Sequence, residues 1–337
     1  MLKKEIQGLL SNTDLNRSKM AEIADAVLLN KNPIQTAAFL ALLKSKGESV
    51  DEIVGFASAI LERCISVHLP VPCIDIVGTG GDGSQSVNIS TGAAILTAGC
   101  GIPLAKHGNR AVSSKSGSAD VLEALGIAVD LDPLQISQSI KKVGIGFIFA
   151  QKYHPSLKTI APLRQALGIP TVFNLIGPLI NPARPKFALI GVGQEKYLKV
   201  IAQSALELGV ERALVFHGNG LDELTTLGPT EAISIESGQI KEMTIDPLSL
   251  GLKLCTKQDL KGGTPQENAR ILRETLAGKK GALADTLILN AGLALWLYGK
   301  CSTPEAGIVA AEKAHSNQLG LQVLEKWVLL SQEFRGV

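Results

Sequence analysis

The apolar positions of the chain fall into two regimes. Over residues 3–10, 18–28, 33–46 and 50–64 they recur at helical spacing, with polar breaks between the segments. Ser11, Asn12 and Asn32-Pro33 read as helix stops and starts. This block runs into the hinge Leu69-Pro70-Val71-Pro72, and nothing in it suggests work beyond packing or dimerisation. From Ile74 the pattern changes to short apolar runs alternating with helical stretches. Strands are expected at Ile74–Val77, Ile102–Ala105, Phe147–Ala150, Phe187–Val192 and Ala213–Phe216. Helices are expected at 89–98, 118–125, 134–142, 195–208, 268–277 and 282–298, with strands and turns over Leu224 to Leu254. The expected architecture is a small all-helical domain, residues 1–70, followed by a large α/β domain, residues 71–337. Its central, largely parallel sheet is flanked by helices. Ligands of such sheets collect beyond the carboxyl ends of the strands, where Gly78, Lys106, Gln151 and His217 would fall.

One stretch breaks both periodicities. The apolar run Ile74 to Val77 empties into Gly78-Thr79-Gly80-Gly81-Asp82-Gly83, which no strand or helix interior would tolerate. Asn88, Ser90 and Thr91 then open an Ala-rich helix. Backbone N–H groups freed by glycine, with hydroxyls at a helix start, make a seat for phosphate. From Gly83 to Ala119 there is no Asp or Glu, while Lys106, Arg110 and Lys115 are present, so the segment reads as locally cationic. Two common nucleotide readings fail. Gly78, Gly80 and Gly83 satisfy G-x-G-x-x-G, but no acid stands about 20 residues on to hold a ribose. Gly83 is followed by Ser84 and Gln85, so there is no Gly-Lys-Ser/Thr of a P-loop.

Composition narrows the field further. The chain has 337 residues, 45% of them apolar and 34 of them glycine, which suits a well-buried α/β protein and not a disordered one. A net charge of +2 is too small to point to nucleic acid as the main partner. Cys64, Cys73, Cys100, Cys255 and Cys301 show no metal spacing and read as thiols of a reducing compartment. The first residues lack an uninterrupted apolar core, and Leu287 to Tyr298 is too short to span a bilayer. A cytoplasmic protein without a membrane partner is expected.

The second polar loop carries the resemblance. The strings GTGGDG, NIST and KHGNRAVSSKSGSADVLEALG are together similar to the anthranilate phosphoribosyltransferases. The likeness continues in AQKYHPSLK (Ala150 to Lys158), FNLIGPLINPA (Phe173 to Ala183) and Asp222-Glu223, over most of the chain. It implies a donor, phosphoribosyl pyrophosphate, whose C1–O bond breaks with oxocarbenium-like character on the ribose. It also lets the helical, proline-punctuated region from about 155 to 185 complete the small domain, and it implies a homodimer through that domain. By the resemblance, Gly78, Gly81 and Asp82 cradle the pyrophosphate, and Asn88, Ile89, Ser90 and Thr91 bind phosphate. Lys106 would serve as a mobile point charge. His107, Gly108, Asn109, Arg110, Ala111, Val112, Ser113 and Ser114 join the donor set, with Ser86 and Ser118.

The same resemblance implies magnesium, two ions accompanying the donor, held by Asp222, Glu223 and the Ser90 hydroxyl. Read without it, Asp222-Glu223 is a solvated acidic turn. For the acceptor, anthranilate, an arginine fork suits the carboxylate, and Arg164 fills the family position. Asn109 and the Gly78 backbone neighbour it, and His107, His154 and Pro178 line the pocket. No strong general base is evident; His107 is the first candidate should one be needed. Two alternatives stand beside this reading. One is a pyrimidine nucleoside phosphorylase, which shares the architecture but has a different second loop. The other is a non-catalytic paralogue that binds nucleic acid, for which a strongly basic face would be needed.

Overall fold

The computed structural model describes residues 2–111 and 115–336, so Val112, Ser113 and Ser114 of the expected donor set lie outside the described residues. Helices α1 (Lys3–Leu10), α2 (Arg17–Leu29), α3 (Pro33–Lys46) and α4 (Val50–Leu61) form the N-terminal helical domain. Their starts are set by local chemistry. The Asn16 and Asn32 side chains accept from the Lys19 and Gln35 N–H groups, and Ser49 with Glu52 forms a reciprocal capping box. Glu52 is fully buried, yet it accepts from Leu15 N at 3.0 Å and from Lys46 Nζ at 2.9 Å, so the charge is compensated.

The α/β domain follows. In chain order it contains β1 (Ile74–Gly78), α5 (Ile89–Gly99), β2 (Leu104–Gly108), α6 (Ser118–Ala124), α7 (Pro133–Val143) and β3 (Ile145–Phe149). Then come α8 (Ala150–Tyr153), α9 (Ala161–Leu167), β4 (Phe187–Gly191), α10 (Leu198–Glu207) and β5 (Arg212–His217). The chain closes with β6 (Thr230–Glu236), β7 (Gln239–Ile245), α11 (Pro265–Leu276), α12 (Ala282–Tyr298), α13 (Pro304–Ser316) and α14 (Leu319–Glu333). The seven strands lie in the order β3-β2-β1-β4-β5-β6-β7, parallel from β3 to β5 and antiparallel beyond. After β1 the chain builds outward through β2 and β3, then returns to the other side of β1 with β4. The β1/β4 boundary is therefore a topological switch point, the place where an open parallel sheet leaves a crevice for a ligand.

Strand side chains alternate between two cores, as a pleated strand buried on both faces must. Ile74, Ile76, Leu189, Leu214 and Phe216 enter the core covered by α5, α11, α12, α13 and α14. Ala188, Ile190, Ala213, Val215 and Ile233 enter the other, which they share with Phe39 and Phe56 of the helical domain and with Ile160, Val172 and Phe173. Phe56 and Phe173 meet edge to face at 5.1 Å. The segment from 155 to 185 is less helical than expected. Only α9 and three-residue 3₁₀ turns at Pro155–Leu157, Val172–Asn174 and Gly177–Leu179 form, because prolines at 155, 162, 170, 178, 182 and 185 each lack the N–H a longer helix needs. The expected strand Ile102–Ala105 is displaced to Leu104–Gly108, and Ala150 opens α8 instead of ending β3. Helices α13 and α14 extend the fold past the last expected element, α13 starting at Thr303, whose side chain accepts from Ala306 N.

Two glycines hold the switch point together. Gly78 and Gly191 are register partners at the ends of β1 and β4. A methyl on Gly191 would overlap the backbone carbonyl of Asp222, and one on Gly78 would overlap the Asp222 carboxylate. Gly191→Ala should therefore destabilise the protein by about 2–4 kcal/mol, while Gly177→Ala, where no atom lies within 4 Å of the added carbon, should stay within about 0.5 kcal/mol. Urea unfolding of the two variants beside the parent checks this; equal midpoints would mean the Asp222 turn is free to move away.

Candidate active site

The glycine loop hangs from β1 and is fixed by bonds that leave its outer face open. Thr79 N donates to Gly191 O at 2.9 Å, and Gly193 N donates to Thr79 Oγ1 at 2.9 Å. Gly80, Gly81 and Gly83 all have positive φ (73°, 82° and 71°), and nothing lies within 4 Å of where their side chains would be. The loop thus requires glycine for its backbone and presents empty space beside it. Asp82 is turned inward: its Oδ1 accepts from Ser84 N at 2.9 Å and its Oδ2 from Asp222 N at 3.3 Å. Ser86 lies in an isolated β-bridge with Lys261 and receives a hydrogen bond from Ser84 Oγ at 3.2 Å.

The Asp222-Glu223 pair sits against this loop. Asp222 Oδ2 accepts from Gly80 N at 2.5 Å, and Glu223 Oε1 accepts from Ser90 N at 3.4 Å. The acidic turn is therefore not a solvated one; Asp222 is 9% exposed. Burial and then the Asp82 charge push the Asp222 carboxyl up to about 7. Burial and then Asp222 push Glu223 well above its ordinary range, with Lys106 and the Ser90 N–H opposing. Crowded, poorly solvated carboxylates of this kind are relieved by a cation. Among the described residues no three His, Cys, Asp or Glu side chains are arranged to hold an ion by themselves. Two carboxylates with the remaining positions left to water and ligand oxygens is the arrangement magnesium favours beside phosphates.

Lys106 corrects the picture of a mobile charge. It lies within β2, 1% exposed, and its Nζ donates to Ile76 O at 2.6 Å beneath the carboxylates. Burial lowers its pKa, while Asp75 and then Glu223 hold it up. Asp75, an acid the sequence reading passed over, is fully buried on β1 and is raised to about 6, by burial first. Its oxygens accept from His107 N at 3.2 Å and from Asn181 Nδ2 at 2.8 Å. An acid between two isoleucines of a buried strand was the signal available for it. Arg110 is also not the free cation expected. It pairs with Asp120 at 3.0 Å and Glu123 at 2.6 Å, just past the acid-free stretch, and covers the Phe149 ring at 5.4 Å. Lys115 is exposed and makes no ion pair among the described residues.

The helix that should hold phosphate is open at its start. Ile89 is core, with its N–H bonded to Val87 O at 2.6 Å, so its part in any site is backbone only. The Thr91 hydroxyl is buried without a partner among the described residues. The second loop closes on the same place. Asp120 Oδ2 accepts from Ala111 N and Gly117 N, both at 2.9 Å. Asn109 is exposed, its Oδ1 accepting from Arg110 N at 2.8 Å. Gly108 has no room for a side chain beside Phe147 and Ser118, the first residue of α6.

On the other side of β2 lies a drier wall. His107 and His154 are buried, their rings edge to face at 5.3 Å. A ring contact to Gly177 O at 3.2 Å from His107 Nδ1 brings the Pro178 turn alongside. Burial and then His154 lower the His107 pKa to about 3, and burial lowers His154 to about 4. Both rings are neutral at pH 7, and His107 is too weak to be a general base there. Arg164 lies with its guanidinium 4.7 Å over the Phe173 ring and forms no ion pair among the described residues. Burial lowers its pKa, the mark of a charge short of solvent. Its stacking partner is Phe173, and no hydrogen bond joins it to Asn109 or Gly78 among the described residues.

An open glycine loop, an acid pair and a dry wall thus meet around the β1/β4 switch point, and the comparisons with known proteins give the class, a glycosyl transferase. A family model described as "Glycosyl transferase family, a/b domain" matches residues 71–318, and one described as "Glycosyl transferase family, helical bundle domain" matches residues 3–64. An anthranilate phosphoribosyltransferase of Chlamydia felis is 48% identical over 99% of this chain and 98% of its own, and one of Rubrobacter xylanophilus is 41% identical over 100% and 99%. The crystal structure of the Thermus thermophilus anthranilate phosphoribosyltransferase aligns with a TM-score of 0.91 at 37% identity, covering 97% of this chain and 99% of that one. That of the Saccharomyces cerevisiae enzyme in complex with PRPP and Mg aligns with a TM-score of 0.90 at 27% identity, covering 98% of each chain; the same yeast enzyme is also known with 4-fluoroanthranilate. The chain belongs to the anthranilate phosphoribosyltransferases, enzymes of the glycosyl transferase type.

The histidine pair makes stability pH-dependent with a definite sign. Between the depressed values and the ordinary 6.5, the native state binds fewer protons than the unfolded chain, so stability falls as pH falls through that window. The raised Asp75 and Asp222 act in the opposite sense, so the readout is a difference between variants. His107→Gln should flatten the acid loss by up to about 1.4 kcal/mol per pH unit between about pH 6.5 and about pH 4, measured by urea unfolding. An unchanged slope would show that His107 is solvated in the folded protein.

Proposed function

We propose that the chain transfers the 5-phosphoribosyl group from phosphoribosyl pyrophosphate to the amine of anthranilate, releasing pyrophosphate, as a step of tryptophan biosynthesis. The observation that carries this is the pair Asp222-Glu223, the first buried and the second half-buried, set against the open glycine loop at the β1/β4 switch point. Asp222 and Glu223, with Ser90 beside Glu223, would hold the magnesium that accompanies the donor, one or two ions. Bound there, the metal would supply charge to stabilise the departing pyrophosphate. The loop N–H groups and the α5 start orient the donor so that C1 faces the histidine wall. The C1–O bond breaks with its electron pair leaving on pyrophosphate, and the aniline nitrogen gives its lone pair to C1. The nitrogen then loses a proton to solvent; neutral His107 and His154 need not take it. Arg164, stacked on Phe173 and without an ion pair among the described residues, supports a role as the partner of the anthranilate carboxylate.

The wider reading follows the family. Residues 1–70, completed by about 155–185, form the helical domain, which would pair with a second copy in a cytoplasmic homodimer. Leu10 and Ile34, 65% and 84% exposed on α1 and α3, support such a face. No helix among the described residues is long and apolar enough to cross a membrane.

Loss of anthranilate fluorescence that needs enzyme, phosphoribosyl pyrophosphate and magnesium together is the expected outcome of mixing them. Persistence of the signal with folded enzyme would remove the acceptor assignment. Asp222→Asn with Glu223→Gln should lower turnover at least about 100-fold while the unfolding transition is retained, since the group they serve acts on the leaving charge. Arg164→Ala should raise KM for anthranilate about 10-fold or more, the cost of a lost charge-assisted contact, and leave that for the donor within about twofold. Equal effects on both substrates would contradict a carboxylate partner.

A further inference from the structure

Asn88 is the residue before the first turn of α5, where asparagine ordinarily folds its side-chain oxygen over the second or third N–H of its own helix. Here it does not: no side-chain cap forms, and φ and ψ are −66° and 74°. Its Oδ1 accepts instead from Asn268 Nδ2 at 2.9 Å and from Ser116 Oγ at 3.1 Å, and its Nδ2 donates to Ser116 O at 2.9 Å. The consequence lies at the helix start. Ser90 N–H goes to Glu223, and Thr91 N–H makes no hydrogen bond among the described residues. The buried Thr91 hydroxyl at the same turn is also without a partner there.

Asn268, together with Ser116, turns Asn88 away. It is 1% exposed on α11, far along the chain, and uses both ends of its amide: Nδ2 on Asn88 and Oδ1 on Gly263 N at 2.8 Å. A buried amide costs free energy unless every group is bonded, so an apolar residue would serve mere packing better. The segment before it is braced on the donor loop as well. Val87 N donates to Leu260 O at 3.0 Å and Gly262 N to Gln85 O at 2.9 Å. A methyl on Gly262 would come within 2.6 Å of Ser86 O.

We propose that Asn268 is a positioning residue for the phosphoribosyl donor, acting through Asn88: with Ser116 it holds the Asn88 side chain off the start of α5 and so keeps the Thr91 N–H uncapped for a donor phosphate. This rests on the donor site proposed above. Freed from Asn268, the Asn88 oxygen turns onto Thr91 N–H as an ordinary cap and competes with the anion for the same group.

The test uses the full chain and two variants, Asn268→Leu, which keeps the branched outline without the amide, and Asn268→Ala, which cannot overpack. Titration calorimetry with phosphoribosyl pyrophosphate and magnesium should show donor affinity weakened about 10-fold, one lost charge-assisted contact, with KM for anthranilate within about twofold of the parent. In an Asn88→Gly background, where no side chain can cap, the Asn268 substitution should have no further effect on donor affinity. Donor affinity within about twofold of the parent in a folded variant overturns the proposal. So does equal weakening toward both substrates, or an Asn268 effect that persists in full on Asn88→Gly, because each marks a merely structural role. Calorimetry does not depend on turnover, so a parent enzyme that binds donor but spares anthranilate would fail the acceptor assignment and leave this test intact.

Discussion

The site depends on how closely the Asp222-Glu223 turn approaches the strand ends. Gly78, Gly191 and Gly218 have no side chains, and a methyl on any of them would overlap Asp222 or Glu223. Glycine in a strand costs conformational entropy and packs nothing, so its use at three neighbouring strand ends marks a place where backbone must meet backbone. That approach buries the Asp222 carboxylate beside Asp82 and half-buries Glu223, and the electrostatics of the site follows. Lys106 beneath them offsets part of the charge from below, with Asp75 bracing Lys106 from β1. The upper side is left with excess negative charge facing a loop of open N–H groups. In the proposed reading this arrangement would offer one place for a cation and an adjacent place for an anion.

The sheet order explains why these residues meet. Because β2 and β4 flank β1 on opposite sides, the β1 loop faces the ends of both halves of the sheet. The β4 and β5 ends bring the acids, and the β2 end brings His107 and the second loop. The segment after β3 folds over the second core, shared with the helical domain, and so places Phe173, with Arg164 stacked on it, between the two domains. Ionic and dry walls are thus supplied by different parts of the chain and share only β2. Lys106 points to the ionic wall by its charge, while its neighbour His107 belongs to the dry one, as alternation along a strand requires.

How much of this was legible in the sequence differs by scale. The early helices and the α/β alternation could be read because their signals are local: spacing, asparagine caps, the glycine run. The second-loop motif and the acid pair could be read because their resemblance to a known family is close. The partners of Lys106 and Arg110 could not be read because composition within a window says nothing of partners outside it. Asp120 and Glu123 lie just past the acid-free stretch, and Asp75 on β1 lies 31 positions before Lys106. The bonds that define the site join residues 142, 133 and 180 positions apart. Asn268 had only one local trace, the Thr264-Pro265-Gln266-Glu267 start of α11, which foretells a helix and not a partner. The helices after Tyr298 had the same kind of trace in Thr303-Pro304.

The depressed histidines bear on the chemistry itself. A buried imidazole that stays neutral at pH 7 can shape a pocket for a flat, weakly basic ring without placing a positive charge beside a cation-like ribose. An imidazolium there would repel the charge that develops at C1 as pyrophosphate leaves. Burial removes that penalty and, by the same act, removes the histidines as bases. The proposed reaction tolerates the loss because an aniline nitrogen already holds its lone pair free, and its acidity rises only once the bond to C1 has formed. The dry wall and the ionic wall are therefore two answers to one demand. In the proposed reaction the charge of the departing pyrophosphate would be met by the cation held on the acidic side, and no charge would be offered on the side from which the acceptor arrives, apart from Arg164 for its carboxylate.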